Sequence, residues 1–152
     1  MKKQIILLIV TFLIVSCGGN KYGSFDSAIV NYVSSKGQES LTVSSTQLGK
    51  NEEEAIFFAK RLAFQNLFFR GISNSPFKKP LIGINEQKES EKYRNYLNTF
   101  YNNRMGTFIT YASESVSKVK GGDWVARVDM TINMLALKKD LEEDRIIKKF
   151  GL

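Results

Sequence analysis

The 152-residue chain contains no histidine and a single cysteine, Cys17. Ser–His and Cys–His nucleophile pairs and histidine-bearing zinc sites therefore have no candidates. One thiol cannot close a disulfide within the chain or build a dithiol redox site. No Walker-type phosphate loop and no GxGxxG segment occurs. Carboxylates, lysines and hydroxyls remain. Glu114, Asp123 and Asp129 fall on or beside one glycine hairpin, and a general acid/base pair could be drawn from them. Asp129 shares a strand face with Arg127 and Thr131, so a surface cross-strand pair accounts for it more cheaply. A lysine-activated serine is conceivable, since serine is plentiful, but no local motif supports one. The expected catalytic, metal and cofactor sets are empty, which leaves a carboxylate-based hydrolase as the weakest of three functional readings.

The element that must organise everything else is a long helix over residues 51–72. Asn51 suits its N-cap, Glu54 three residues on resembles a capping box, and Glu52 to Glu54 place negative charge at the positive end of the helix dipole. Gly71 suits the C-terminal stop. At about 100° per residue, Ala55, Phe58, Ala59, Leu62 and Phe69 share a face that Ile56, Ala63 and Leu67 extend. Phe57, Phe64 and Phe68 form a second stripe nearly opposite, with Lys60, Arg61 and Gln65 in narrow polar strips between. Apolar cover nearly all round implies burial on more than one side. The alanine face is expected against a sheet, and the phenylalanine stripe beneath another element.

That other element is expected to be a second helix over about 86–104, whose Tyr93, Tyr96, Leu97, Phe100 and Tyr101 share one side and which Gly106 ends. Between the two helices, residues 73–83 hold both prolines, Pro76 and Pro80, and form a loop with a basic-apolar cluster, Phe77, Lys78, Lys79 and Leu81. Functional loops are often built this way. Those four residues, with Tyr93 and Tyr96, are the candidate binding surface. Leu41 to Thr46 alternate as a strand before the long helix, with Gly49 at the turn. Residues 107–119 and 124–135 read as the clearest strands, joined through Gly121-Gly122. In the second of them Trp124, Ala126, Val128, Met130, Ile132 and Met134 occupy one face. A short amphipathic helix is expected from Phe25, Ala28, Ile29, Tyr32 and Val33. A C-terminal helix is expected over 137–150, with Leu137, Leu141 and Phe150 as anchors and Asp144–Lys148 as an i, i+4 pair. The fold class is thus α+β: a small antiparallel sheet of about three strands on a long central helix, a second aromatic helix and a C-terminal helix.

At the N-terminus, Lys2 and Lys3 precede an apolar run over residues 5–15 that is too short to span a bilayer and fits a signal-peptide core. The run ends in Ile14-Val15-Ser16-Cys17, which resembles the lipobox of bacterial lipoproteins. The resemblance implies cleavage before Cys17, diacylation of its thiol and acylation of its new amine. Residues 1–16 are then the signal peptide, 17–24 a lipidated tether and 25–152 a single domain. Gly18 follows the cysteine in place of aspartate, which by similarity to enterobacterial lipoproteins argues for the outer membrane. Loss of Lys2 and Lys3 takes the formal charge from +7 to +5, a modest positive balance suited to anionic envelope surfaces and most simply a solvated face. Nucleic acid is not an expected partner of an exported chain.

The order of parts also resembles a family. A polar strand ends in Gly49, a long helix carries Ala55, Ala59 and Ala63, and then come Met105-Gly-Thr-Phe-Ile-Thr-Tyr, a glycine hairpin, Trp124-Val-Ala-Arg-Val-Asp-Met, Leu137 and Leu141. Over roughly residues 41–141 this resembles the LPP-twenty-type family of envelope lipoproteins and the related N-terminal domain of flagellar assembly protein T. It departs in the long aromatic segment between helix and hairpin. The resemblance implies a non-enzymatic α+β domain of the cell envelope and supplies no catalytic residues. The leading expectation is contact with an envelope assembly, an envelope protein or a cell-wall component. A small apolar-ligand or lipid-binding module, with its pocket between the aromatic helices, is the alternative.

Overall fold

The computed structural model describes residues 29–148. It is an α+β fold in which a four-stranded antiparallel sheet, ordered β1-β2-β4-β3, lies against helices. The strands are β1 (Ile29–Lys36), β2 (Ser40–Gly49), β3 (Ile109–Lys118) and β4 (Trp124–Asn133). The helices are α1 (Glu52–Phe69), α2 (Glu86–Lys92), α3 (Arg94–Thr99) and α4 (Met134–Glu143).

The long helix forms where its end signals place it. Asn51 Oδ1 accepts from the Glu54 amide at 2.8 Å, while Glu54 Oε2 accepts from the Lys50 amide at 2.6 Å. The reciprocal half of the capping box thus falls one residue before the cap. Gly71 follows the last turn at φ +77°, and a Cβ there would lie 2.1 Å from the Lys78 carbonyl oxygen. Both conformation and space therefore demand glycine. The alanine face packs on the sheet: Ala55, Ala59 and Ala63 are fully buried. Ser45 on β2 is buried too and donates to the Ala59 carbonyl at 2.7 Å. A small hydroxyl here permits close helix–sheet approach and has its hydrogen bond satisfied. Gly49 serves the same approach, since a Cβ would fall 2.3 Å from the Ala55 nitrogen.

The opposite stripe is buried as well. Phe64 and Phe68 are fully buried and meet Phe100 edge-on at centroid distances of 5.2 and 5.1 Å. Phe57, farther toward the N-terminus, is only half-buried. The cover is not the single helix expected over 86–104. That stretch breaks at Tyr93 (φ −108°, ψ 24°), resumes as α3, and widens into a π-turn over Phe100–Arg104 whose closing bond runs from the Met105 amide to the Phe100 carbonyl. A 3-10 turn, Met105–Phe108, follows. The wide turn brings Phe100, Tyr101, Met105 and Phe108 all into the core, which a regular helix of this length could not do.

β1 corrects another expectation. The Ile29–Val33 stretch is an edge strand, not a helix, and it makes the sheet four-stranded. Val30 and Tyr32 stand opposite Ser45 and Val43 on the helix-facing side, but the register slips between Tyr32 and Ser34. Val33 is extruded there, 54 % exposed. This bulge breaks the two-residue alternation and leaves apolar spacings that imitate a helix; the β-branched content favoured the strand. Phe25 and Ala28 lie outside the described residues. α4 begins and ends earlier than the expected helix: Asn133 caps it through the Ala136 amide at 3.0 Å, and Arg145 at φ +57° stops it. Leu137 and Leu141 anchor it, whereas Phe150 lies outside the described residues. Asp144 pairs with Arg104 at 3.3 Å, and the i, i+4 pair is Lys139–Glu143 at 3.7 Å.

Phe64→Ala should lower the free energy of unfolding by about 3–5 kcal/mol through lost burial and a residual cavity. Urea denaturation measures this. A change within experimental error would mean that the phenylalanine stripe is not a second buried face.

Candidate functional site

The loop carrying the candidate cluster is pinned to the end of α1. The amides of Leu81 and Ile82 donate to the Leu67 and Phe68 carbonyls at 3.0 and 2.9 Å, so the loop satisfies acceptors that the helix end leaves open. Ser75, buried, donates to the Ile72 carbonyl at 2.7 Å and accepts from the Phe77 amide at 2.9 Å. This tight turn drives Phe77 inward to 4 % exposure, with the Lys138 ammonium of α4 5.0 Å from its ring centroid. Phe77 therefore belongs to the core and not to a contact surface. Lys78 and Lys79 are exposed, and Leu81 is half-buried.

Tyr93 and Tyr96 are both half-buried and serve different neighbours. The Lys92 ammonium sits 4.5 Å from the Tyr93 ring centroid. The Tyr96 hydroxyl donates to Asp140 Oδ2 at 2.7 Å, and Arg104 binds Asp140 and Asp144 together. This cluster ties the aromatic segment to α4. The six candidate residues thus divide among a core residue, an exposed loop tip and two separate anchoring contacts.

The carboxylates near the hairpin do not converge. Glu114 pairs across the ladder with Val128 and points to the helix side, where Lys60 meets it at 2.6 Å. Asp129 is opposite Ser113 on the outer side, with Arg127 Nε at 3.4 Å. Opposite faces of one sheet cannot supply an acid/base pair. Among the described residues no group of three or more metal-ligating side chains is gathered.

A groove of about 440 Å³ runs between α1 and the α2–α3 segment. One wall is the strip Arg61, Gln65 and Phe69, spaced four apart on α1. The other is Gln87, Ser90, Arg94 and Asn98, again at helical spacing although the helix breaks between them. Leu97 and Tyr101 also line it. The Arg61 guanidinium lies 4.8 Å from the Tyr101 ring centroid. The Tyr101 hydroxyl is the one buried side-chain polar atom without a hydrogen-bond partner among the described residues. Burial pushes that hydroxyl well above the ordinary tyrosine value, with Arg61 opposing and Glu86 reinforcing the shift. In the sequence, Arg61 and Gln65 belong to thin polar strips on a buried helix. Their signal was that such a strip needs something polar to face.

Tyr101→Phe should raise stability at neutral pH by about 1 kcal/mol, because it removes a buried donor that makes no bond. Because its folded-state value is raised, the unfolded tyrosine ionises first: the cost of the hydroxyl is constant below pH 10.0 and grows as pH climbs above it. The parent should therefore lose stability in alkali sooner than Tyr101→Phe. Thermal melts across that pH range check both statements, and a variant less stable at neutral pH would show that the hydroxyl has a partner. Comparison of the chain with family models, curated proteins and solved structures finds no match.

Proposed function

We propose that this chain is a non-catalytic, lipid-anchored protein of the bacterial cell envelope, held at the outer membrane through Cys17 and acting by contact with an envelope assembly or cell-wall component. The observation that carries the proposal is the apolar run over residues 5–15 ending in Ile14-Val15-Ser16-Cys17. Residues 1–28, Cys17 among them, lie outside the described part of the chain. The resemblance to the LPP-twenty-type family and to the N-terminal domain of flagellar assembly protein T belongs to the same proposal.

The polarity of the fold supports a contact role. β1 starts opposite Thr46, toward the sheet end that holds Gly49 and the β3–β4 turn. The described part of the chain therefore begins at that pole. The exposed Lys78 and Lys79 sit at the other pole: α1 runs back along β2, and Lys138, over Phe77, also reaches Gln38 of the β1–β2 turn at 2.9 Å. An anchored domain would present this loop away from its point of attachment. The separation of Glu114 from Asp129 counts against a carboxylate hydrolase. The filled contacts among Phe64, Phe68 and Phe100 count against an apolar ligand between the aromatic segments.

Each buried methylene of an acyl chain adds about 0.8 kcal/mol, so one chain holds weakly and two or more hold stably. The mature protein should stay with membranes through a high-salt wash, which strips only electrostatic attachment. Cys17→Ala should abolish both acylation and cleavage at this site. Mass spectrometry of the native N-terminal peptide decides: a triacylated Cys17 is expected, and an unmodified Cys17 or a cut at another residue would overturn the assignment.

A further inference from the structure

The geometry points to the groove between α1 and the α2–α3 segment as a binding site for the free C-terminal carboxylate of a short peptide. Arg70, Arg94, Arg104 and Arg127 each have a carboxylate partner, Glu86, Glu91, Asp140 and Asp129 respectively. Among the described residues Arg61 and Arg145 have no such ion pair, and of these two Arg61 lines the groove and rests on the Tyr101 ring. A planar guanidinium held by an aromatic face is pre-oriented, so little side-chain freedom remains to be lost when a carboxylate docks on its fork.

Charge sets the class of ligand. Of the lining residues, Arg61 and Arg94 are positive and Glu91 is negative, which leaves one unmatched positive charge. That balance fits a monoanionic carboxylate better than a dianionic phosphate. Beside Arg61, the amides of Gln65, Gln87 and Asn98 each offer donors and an acceptor, the same inventory that a peptide group presents. Gln65 spends a donor on Glu86 at 3.2 Å, which fixes its position on the groove wall. Tyr101, 7 % exposed, adds its ring to the same wall, and its unpartnered hydroxyl stays buried. The volume of about 440 Å³ admits a short chain end and lies within the range usual for ligand sites, roughly 300–1,000 Å³.

Calorimetric titration of the full chain in detergent micelles with N-acetyl-alanyl-alanine, its C-terminal amide and inorganic phosphate tests this. The acid should bind, and the amide and phosphate should bind at least roughly tenfold more weakly, since the charge-assisted bidentate contact is lost or mismatched. Arg61→Gln should weaken the acid by a similar factor, while Arg127→Gln on the outer face of the sheet should leave it unchanged. Should Arg61→Gln unfold, Asn98→Asp at the exposed rim places a repelling carboxylate in the groove and should give the same loss. Equal binding of acid and amide, phosphate binding as strong as the acid, binding that survives the groove variants, or no heat up to about 10 mM ligand would each overturn the inference. Lipidation is read separately at the N-terminal peptide, so failure here and failure of the envelope assignment are distinguishable.

Discussion

The ring of Phe100 meets Phe64 and Phe68 edge-on, stacks on Phe108 at 5.5 Å and lies 5.9 Å from Tyr96. The rest of the fold depends on this one residue being driven between the two phenylalanines of α1. A helix with alanines on one side and phenylalanines on the other is stable in water only if both sides are covered. The sheet covers the first through Ser45 and the alanines. Phe100 covers the second, and the π-turn beginning at Phe100 is the backbone deformation that lets Tyr101 and Met105 follow it inward. Aromatic contacts of this geometry add about 0.5–1.5 kcal/mol each beyond area burial. The same segment then leads into β3 and, through Tyr96 and Arg104, grips α4 at Asp140.

This arrangement separates the molecule into unlike surfaces. The outer side of the sheet carries Thr42, Ser44, Arg127, Asp129 and Thr131, joined by Thr42–Thr131 at 2.9 Å and Arg127–Ser44 at 3.0 Å. It is the wet side of a half-buried antiparallel sheet. The helical side is closed by aromatics below and grooved by polar residues above, because the strip of Arg61 and Gln65 emerges just where α2 and α3 pass beside α1. Arg70 and Glu86, 2.8 Å apart, hold the start of α2 there. A polar groove over a filled aromatic layer would suit surface recognition and not enclosure, in line with the contact role proposed above.

Much of this was legible from local signals. Asn51 and Gly71 bound α1, Gly121 and Gly122 turn the β3–β4 hairpin at positive φ, and the alternation from Trp124 to Ile132 gives the buried face of β4. The burial of Phe64 followed from counting faces. The failures share a cause: each needed a partner distant in sequence or an irregular backbone. The bulge at Val33 disguised β1. The break at Tyr93 and the π-turn at Phe100 are responses to packing that no periodicity announces. Phe77 looked like a surface residue because its neighbours are lysines, yet Ser75 turns it inward and Lys138 covers it. The groove was hidden because Gln87, Ser90, Arg94 and Asn98 sit on a segment whose aromatic side drew the reading. Where Phe77, Lys78, Lys79, Leu81, Tyr93 and Tyr96 were expected to act together, tertiary structure distributes them.

If Phe100 couples the aromatic segment to α1, the two should open as one unit. Native-state hydrogen exchange across a series of low denaturant concentrations measures this residue by residue. The amides of Phe64, Leu67 and Phe68 and those of Leu97 and Phe100 should exchange with one opening free energy, equal to that of global unfolding, and with one denaturant slope. Exchange of the 94–108 amides at a markedly lower free energy, with α1 still protected, would show that the sheet alone holds the helix and would contradict the account.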